Sequence, residues 1–182
     1  MYREVKGSEA MGYLSTKPTM IITTLHESGV VNAGVFGAYT NLSPTQVGIA
    51  IGGSSHTCAN IRREGEFVIN VPGADIVKTL AVIADDIPPD RSEVEEAGLT
   101  LKDGLQLDTP SIAECAAAVE MRFDQEVPIG YHTFMIGKVA GGWIREELLD
   151  EDGKIDIFRA RVVKDFKYPK PLYMTPGEVV EG

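Results

Sequence analysis

The residues best suited to chemistry stand at the ends of apolar runs. Gly52-Gly53-Ser54-Ser55-His56-Thr57 closes the run QVGIAI and opens a helical pattern. A helix starting there presents unpaired N–H groups and the positive end of its dipole. The hydroxyls of Ser54, Ser55 and Thr57 add donors, so the segment can hold a phosphate without a large positive charge. Simple N-capping by Ser or Thr accounts for the same residues, and the local pattern alone favours it. The second stretch is Gly34 to Thr40, GVFGAYT. Its small residues let a flat ring lie close to the main chain, and Phe36 and Tyr39 offer apolar faces. A tight strand bend relieved by Gly34 and Gly37 is the plainer account. His132, in the strand start GYHT, could give a proton or touch a bound substrate. A hydrogen-bonded structural histidine is the commoner state.

Other chemistries are poorly served. The three histidines have no i, i+4 partner, so no dedicated metal site is expected. No Ser-His-acid or Cys-His order suggests a nucleophilic triad. Cys58 and Cys115 form no C-x-x-C pattern and read as buried free thiols. Glu93, Glu95 and Glu96 read as a solvated helix face, and Arg62 and Arg63 lie within reach of helping a phosphate.

These residues need elements to position them. TMIITTL, 19–25, is β-branched and apolar, as strands prefer. His26 to Gly29 turns the chain, and Val30 to Gly34 returns antiparallel. Gln46 to Ile51 is a further strand, whose Gly48 implies close approach by another backbone or a ligand. A helix over Thr57 to Arg63 follows, capped by Ser55 or Ser54 and ended by Gly65. Phe67 to Val71 is a strand. Ala74 to Ala84 has helical periodicity. Ser92 and Glu95 form a capping box for a short helix that Gly98 stops. Strands then cover Ala113 to Phe123, Tyr131 to Ile144 and Ile155 to Val162. Turns at Pro128-Ile129-Gly130 and Asp150 to Lys154 separate them. Met1 to Thr16 suggests a short helix or turn, and Tyr168 to Tyr173 an extended tail. Strands outnumber helices and do not alternate with them, which argues for a barrel or sandwich with inserted helices. No G-x-G-x-x-G follows a strand, so a Rossmann site has no fingerprint.

The 182 residues suffice for one domain, 1–182, with a substantial core. A net charge of −10 makes a nucleic-acid groove or an anionic membrane an unlikely partner. No stretch approaches 18 apolar residues and no signal-type segment opens the chain, so a cytoplasmic protein is the default.

Taken in order, the pieces resemble the flavin reductase-like, FMN-binding split-barrel family, which includes flavoredoxin. The carriers are Asn32-Ala33, GVFGAYTN, Leu42-Ser43-Pro44, QVGIAI, Ser55-His56-Thr57, Asn60-Ile61 and FVINV. EEAGLT at 95–100 and GYHTFMIGKV at 130–139 extend the series. The resemblance covers roughly Lys17 to Val139. It implies a mainly β, Greek-key split β-barrel with a few inserted helices, forming a homodimer with FMN near the interface. It implies that the backbone of Gly37, Ala38, Tyr39 and Thr40 faces the isoalloxazine ring. It implies that Ser54, Ser55 and Thr57 hold the phosphate, with Asn32, Phe36, His56 and Asn60 among the cofactor contacts. His132 would lie near the nicotinamide or the flavin as the catalytic residue. Two departures from the family pattern stand out. Its Lys-Asp turn is Ser55-His56 here, leaving neutral donors and the helix end for phosphate, and its Asp before the late histidine is Tyr131.

The implied activity is an FMN-dependent oxidoreductase of the NAD(P)H-linked flavin reductase type. The alternative is a flavoredoxin-like electron carrier reduced by a redox partner protein, which the acidic charge would suit. A third reading keeps the barrel and replaces the flavin by pyridoxal phosphate or haem.

Overall fold

The structure is a computed structural model that describes residues 17–167 and 172–177. Its strands are β1 (Lys17–Pro18), β2 (Met20–Leu25), β3 (Val31–Phe36), β4 (Tyr39–Ser43), β5 (Gln46–Gly52), β6 (Glu66–Val71), β7 (Leu101–Lys102), β8 (Ser111–Ile112), β9 (Ala117–Ile129), β10 (His132–Ile144), β11 (Lys164–Lys167) and β12 (Leu172–Met174). Its α-helices are α1 (His56–Glu64), α2 (Leu80–Ile83), α3 (Glu93–Glu96) and α4 (Ile157–Ala160).

Seven strands form one antiparallel sheet in the order β3-β2-β6-β9-β10-β5-β4. The two edge strands, β3 and β4, are consecutive in the chain and separated only by Gly37 and Ala38. Laid flat, seven strands would hold their outer members about 29 Å apart. The link between Phe36 and Tyr39 spans at most about 11 Å. The sheet must therefore curl until its edges meet, and it closes into a barrel split along one seam. This is the mainly β split barrel expected from the sequence, with the helices inserted between strands.

Strand alternation sorts the apolar side chains to two sides. Met20 and Ile22 point inward to Ile49, Ile51, Phe67, Ile69, Met121 and Met135. Ile21, Val31 and Ala33 face outward, against Ile83, Val94 and Ile112. Each large side chain buried this way stabilises by about 1.5–3 kcal/mol. Gly48 does allow a close approach, but by a side chain: a Cβ there would stand 2.2 Å from the Phe134 ring.

Local chemistry explains where the elements depart from expectation. The stretch 155–162 contains helix α4 instead of a strand, because Asp156 caps it by accepting from the amides of Phe158 and Arg159, each at 3.0 Å. Residues 74–79 form a 3₁₀ turn before the short α2, with the Thr79 hydroxyl donating to the Ile76 carbonyl at 2.7 Å. Strand β9 starts at Ala117 and runs through Pro128 and Ile129; the turn sits at Gly130 and Tyr131, where Gly130 takes φ 58°. Ser92 precedes α3 without a side-chain cap, so the expected box does not form. The expectations for Met1 to Thr16 and for Tyr168 to Pro171 lie outside the described residues.

Candidate functional site

A cleft of about 430 Å³ opens between strand β3, the end of β5 and the start of α1. Asn32 to Phe36 form one wall, Gly52 and Ser54 to Thr57 another, and Ile83 to Asp86 with Glu93 the third. Helix α1 forms here because Ser55 caps it: its Oγ accepts from the Cys58 amide at 3.2 Å. Gly65 ends it at φ 72°, and its two arginines lie in the last turn, where the dipole favours them. At the other end, the amides of His56 and Thr57 find no acceptor among the described residues.

The three hydroxyls of that end divide by role. The Ser55 hydroxyl is used twice, donating to the Gly52 carbonyl at 2.8 Å and accepting from Cys58. It shapes the turn and has no proton left for a ligand. Thr57 Oγ1, almost wholly buried, accepts from Asn32 Nδ2 at 3.1 Å. No acceptor among the described residues takes its own proton, which is free to donate. Asn32 is fixed in turn by Thr24 Oγ1 at 3.0 Å. Ser54 is exposed at the rim.

Strand β3 is an edge strand, and its outward peptide groups face this cleft. The Ala33 amide donates away from β2 to Glu93 Oε2 at 2.8 Å. By the two-residue period of the ladder, the Val35 N–H and C=O also point outward. Glu93 is therefore not a solvated residue: it is 3% exposed, because the β3 edge draws it inward. Burial raises its pKa, and the Ala33 amide pulls it part of the way back. Asp85 and Asp86 add two more carboxylates at this end, and among the described residues no lysine or arginine lines the cleft. Arg62 is paired with Glu126 at 2.8 Å, and Arg63 is bonded to Glu64 and Asn60, so neither serves the helix start.

Among the residues marked by the sequence, Asn32, Phe36, Ser54, Ser55, His56 and Thr57 come together here. Gly37, Ala38, Tyr39 and Thr40 do not line the cleft; they turn the corner from β3 into β4. Gly37 packs against Pro18 and Asp165, and the Tyr39 ring joins the barrel core. Nor does Gly34 leave room for a ring, since the Phe36 ring folds to within 2.9 Å of where a Cβ would stand. Gly52 also lines the cleft, and a Cβ there would meet nothing within 4 Å. Asn60 is buried, donates to Thr24 at 3.1 Å and belongs to a neighbouring groove. His132 sits exposed at the start of β10, opposite Gly52, outside the cleft wall. No cluster of three metal-ligating side chains occurs among the described residues. Cys58 and Cys115 are buried and free, and burial pushes the Cys115 thiol up to about 12.

Sequence reasoning missed Val35, Ile83, Asp85, Asp86 and Glu93. The apolar Val94 beside Glu93 was the one local signal that the short helix is half buried. Nothing local marks Asp85 and Asp86, which reach the cleft only through the turn after α2.

A barrel split along one seam, with a helix N-terminus aimed into a cleft at that seam, defines the class of fold. A family model described as the flavin reductase like domain matches residues 11–179, and the chain belongs to that family. It is 32% identical over 166 residues to an uncharacterized protein of Halalkalibacterium halodurans, covering 84% of this chain and 79% of that one. Its fold is similar to nitrilotriacetate monooxygenase component B from Bacillus cereus, with TM-score 0.87, 21% identity and coverage of 100% and 98% of the two chains. It is also similar to flavoredoxin from Methanosarcina acetivorans, with TM-score 0.86, 20% identity and coverage of 100% and 95%.

The donor set fits a flavin mononucleotide in one orientation. One phosphate monoester matches two free amides and the Thr57 proton at the start of α1. The carboxylates bar the phosphate from the opposite end. The outward Val35 peptide offers a donor and an acceptor to the edge of a heterocycle, beside the apolar Phe36.

Proposed function

We propose that this chain is an FMN-dependent oxidoreductase of the NAD(P)H-linked flavin reductase type. Residues 1–182 act as one flavin-binding domain. The observation that carries the reading is the cleft at the seam, where unpaired amides, a spare hydroxyl proton and an open strand edge converge. FMN, when bound, supplies the two-electron chemistry between a reduced nicotinamide and the final acceptor. The chain's own work is to hold, orient and shield. His56 and Thr57 amides and the Thr57 hydroxyl bind the phosphate, Ser55 keeps the helix end open to it, and Asn32 orients Thr57. The β3 edge orients the ring, and Phe36 excludes water from its face. His132, exposed on β10 across from Gly52, meets the nicotinamide donor from outside the cleft wall.

The site functions in a homodimer with FMN near the interface. Supporting this, the β9–β10 tip exposes Val127 (47%), Ile129 (57%) and Tyr131 (97%), a costly apolar set for a monomer. Two free, buried thiols suit a reducing, cytoplasmic setting. No helix among the described residues is long and apolar enough to cross a membrane.

A second reading keeps FMN and replaces the nicotinamide by a protein donor, as in a flavoredoxin-like carrier. Asp85 and Asp86 at the cleft, with the net charge of −10, favour it by suiting a basic partner. The visible spectrum with added FMN, followed by anaerobic NADH and then NADPH, separates the readings. Bleaching by either nicotinamide supports the reductase. A bound flavin that stays oxidised supports the carrier, and absence of bound flavin removes both.

A further inference from the structure

His26 lies close to the start of α1 without lining the seam cleft. It follows β2, in the turn that returns the chain as β3. Its amide donates to the Val30 carbonyl at 2.8 Å, and its carbonyl accepts from Gly29 at 2.8 Å, where Gly29 takes φ 83°. The side chain is 7% exposed and stands edge-on to His56, with ring centroids 5.1 Å apart. Its Nδ1 is 3.4 Å from Asn60 Nδ2, and its Nε2 is buried without a partner among the described residues.

The neighbours decide which ring nitrogen carries the proton. Arg63 Nη1 meets Asn60 at 3.0 Å, and an arginine only donates, so the Asn60 atom there is its oxygen. Asn60 Nδ2 is left to donate to Thr24 Oγ1 at 3.1 Å and to His26 Nδ1. Nδ1 is thus the acceptor, and the neutral ring carries its proton on Nε2. Burial first, then His56 and Arg63, lowers the His26 pKa from its ordinary 6.5, while the carboxylates of Glu27 and Asp90 at the same groove are exposed. A leucine would fill this place with no N–H to bury unpaired. What the imidazole adds is the Nδ1 lone pair. Beyond Asn60 the bonds continue. Thr24 Oγ1 also accepts from Asn32 Nδ2 at 3.0 Å, and the same Nδ2 reaches Thr57 Oγ1 at 3.1 Å. Asn60, Thr24, Asn32 and Thr57 are all buried, so solvent does not compete for these links.

We propose that His26 is a positioning residue for the flavin phosphate, acting through Asn60, Thr24 and Asn32 to aim the Thr57 hydroxyl proton into the cleft. The inference rests on the reading of the seam cleft as a flavin site. Nδ1 fixes the Asn60 amide. Asn60 and Asn32 then fill the two lone pairs of Thr24 Oγ1. Asn32 Nδ2 is spent between Thr24 and Thr57, and the Thr57 O–H turns to the side left open, the cleft that Thr57 lines. With Nδ1 gone, one Asn60 N–H has no acceptor, the amide turns, and Thr24 and Asn32 loosen in sequence. The effect reaches the phosphate alone, because the ring lies against the Val35 backbone, outside this chain of bonds.

The test is fluorescence titration of the full chain with FMN and with riboflavin, which lacks the phosphate. Wild-type chain is compared with His26→Leu, His26→Asn, Thr24→Val and the double variant His26→Leu/Thr24→Val. His26→Leu is expected to weaken FMN at least fivefold and riboflavin less than twofold. His26→Asn places an oxygen where Nδ1 stands and is expected to bind FMN within twofold of wild type. Thr24→Val cuts the same path, so the double variant is expected to lose no more than the worse single one. His26→Gln carries its oxygen one bond further out and replaces His26→Leu should that variant not fold, with the same loss expected. Equal weakening of FMN and riboflavin by His26→Leu overturns the proposal, since a structural role would produce it. So do wild-type FMN affinity in His26→Leu, a loss in His26→Asn equal to that in His26→Leu, and additive losses in the double variant. Wild-type chain that binds FMN no tighter than riboflavin overturns the phosphate site itself, and one that binds neither flavin overturns the flavin reading.

Discussion

Removing the Thr57 hydroxyl separates ligand holding from helix capping. Thr57→Val keeps the shape of the side chain and deletes its oxygen. Two losses follow. The first is a charge-assisted hydrogen bond to the phosphate, worth about 1.5–3 kcal/mol. At about 1.4 kcal/mol per tenfold, flavin binding weakens roughly 10- to 150-fold. The second is the bond from Asn32 Nδ2, now 3.1 Å. Asn32 is 3% exposed, so one of its N–H bonds is left buried and unpaired, at a stability cost of about 1–3 kcal/mol. Ser55→Ala is the control, since both roles of that hydroxyl are spent inside the chain. It should cost about 1 kcal/mol of stability, as lost N-caps do, and leave flavin affinity within a few-fold. Flavin fluorescence quenching gives the affinities, and denaturant unfolding gives the stabilities. The opposite pattern, with Thr57→Val binding normally and Ser55→Ala binding tenfold weaker, would refute the division of roles.

Three further outcomes are expected. Burial raises the Glu93 pKa above its ordinary 4.5, so the folded chain keeps that proton longer than the unfolded one. The contribution is full below the unfolded value and is lost as pH rises through the folded value. Glu93→Gln keeps an acceptor for Ala33, should flatten that fall, and should be at least as stable at neutral pH; an unchanged pH slope in urea melts would count against it. Gly48→Ala puts a methyl 2.2 Å from the Phe134 ring and should destabilise by about 1–3 kcal/mol or more, with partial rescue by Phe134→Leu in the double mutant. His132→Ala should slow flavin reduction in stopped-flow more than it weakens flavin binding, and equal losses would make the residue structural.

The fold was legible where periodicity and punctuation agree. Strands β2, β5 and β6 are apolar and bounded by turn residues, and α1 shows both its caps, Ser55 and Gly65. The helix at 157–160 was hidden because its signal is a single capping residue, Asp156, inside a strand-like composition. In the site, the phosphate end was readable because its residues are consecutive. The division between Ser55 and Thr57 was not, since it depends on which hydroxyl Asn32 reaches from another strand. The carboxylate wall was least readable. Glu93 meets Ala33 across sixty residues of sequence, and its burial follows from the edge of a sheet that only the closed barrel positions. Likewise the Gly34 and Gly37 vacancies look like space in the sequence and are filled in three dimensions by Phe36, Pro18 and Asp165.

The seam has a dynamic consequence. Around most of the barrel each strand is clamped on both sides, so freeing one amide requires breaking a ladder. Along the outer side of β3 no ladder exists among the described residues, and local opening there is cheap. A guest lying in the seam stands in for the absent neighbouring strand and keeps water from the Val35 amide. Occupancy then becomes readable as slowed hydrogen–deuterium exchange at that one position, whatever the colour or turnover of the guest.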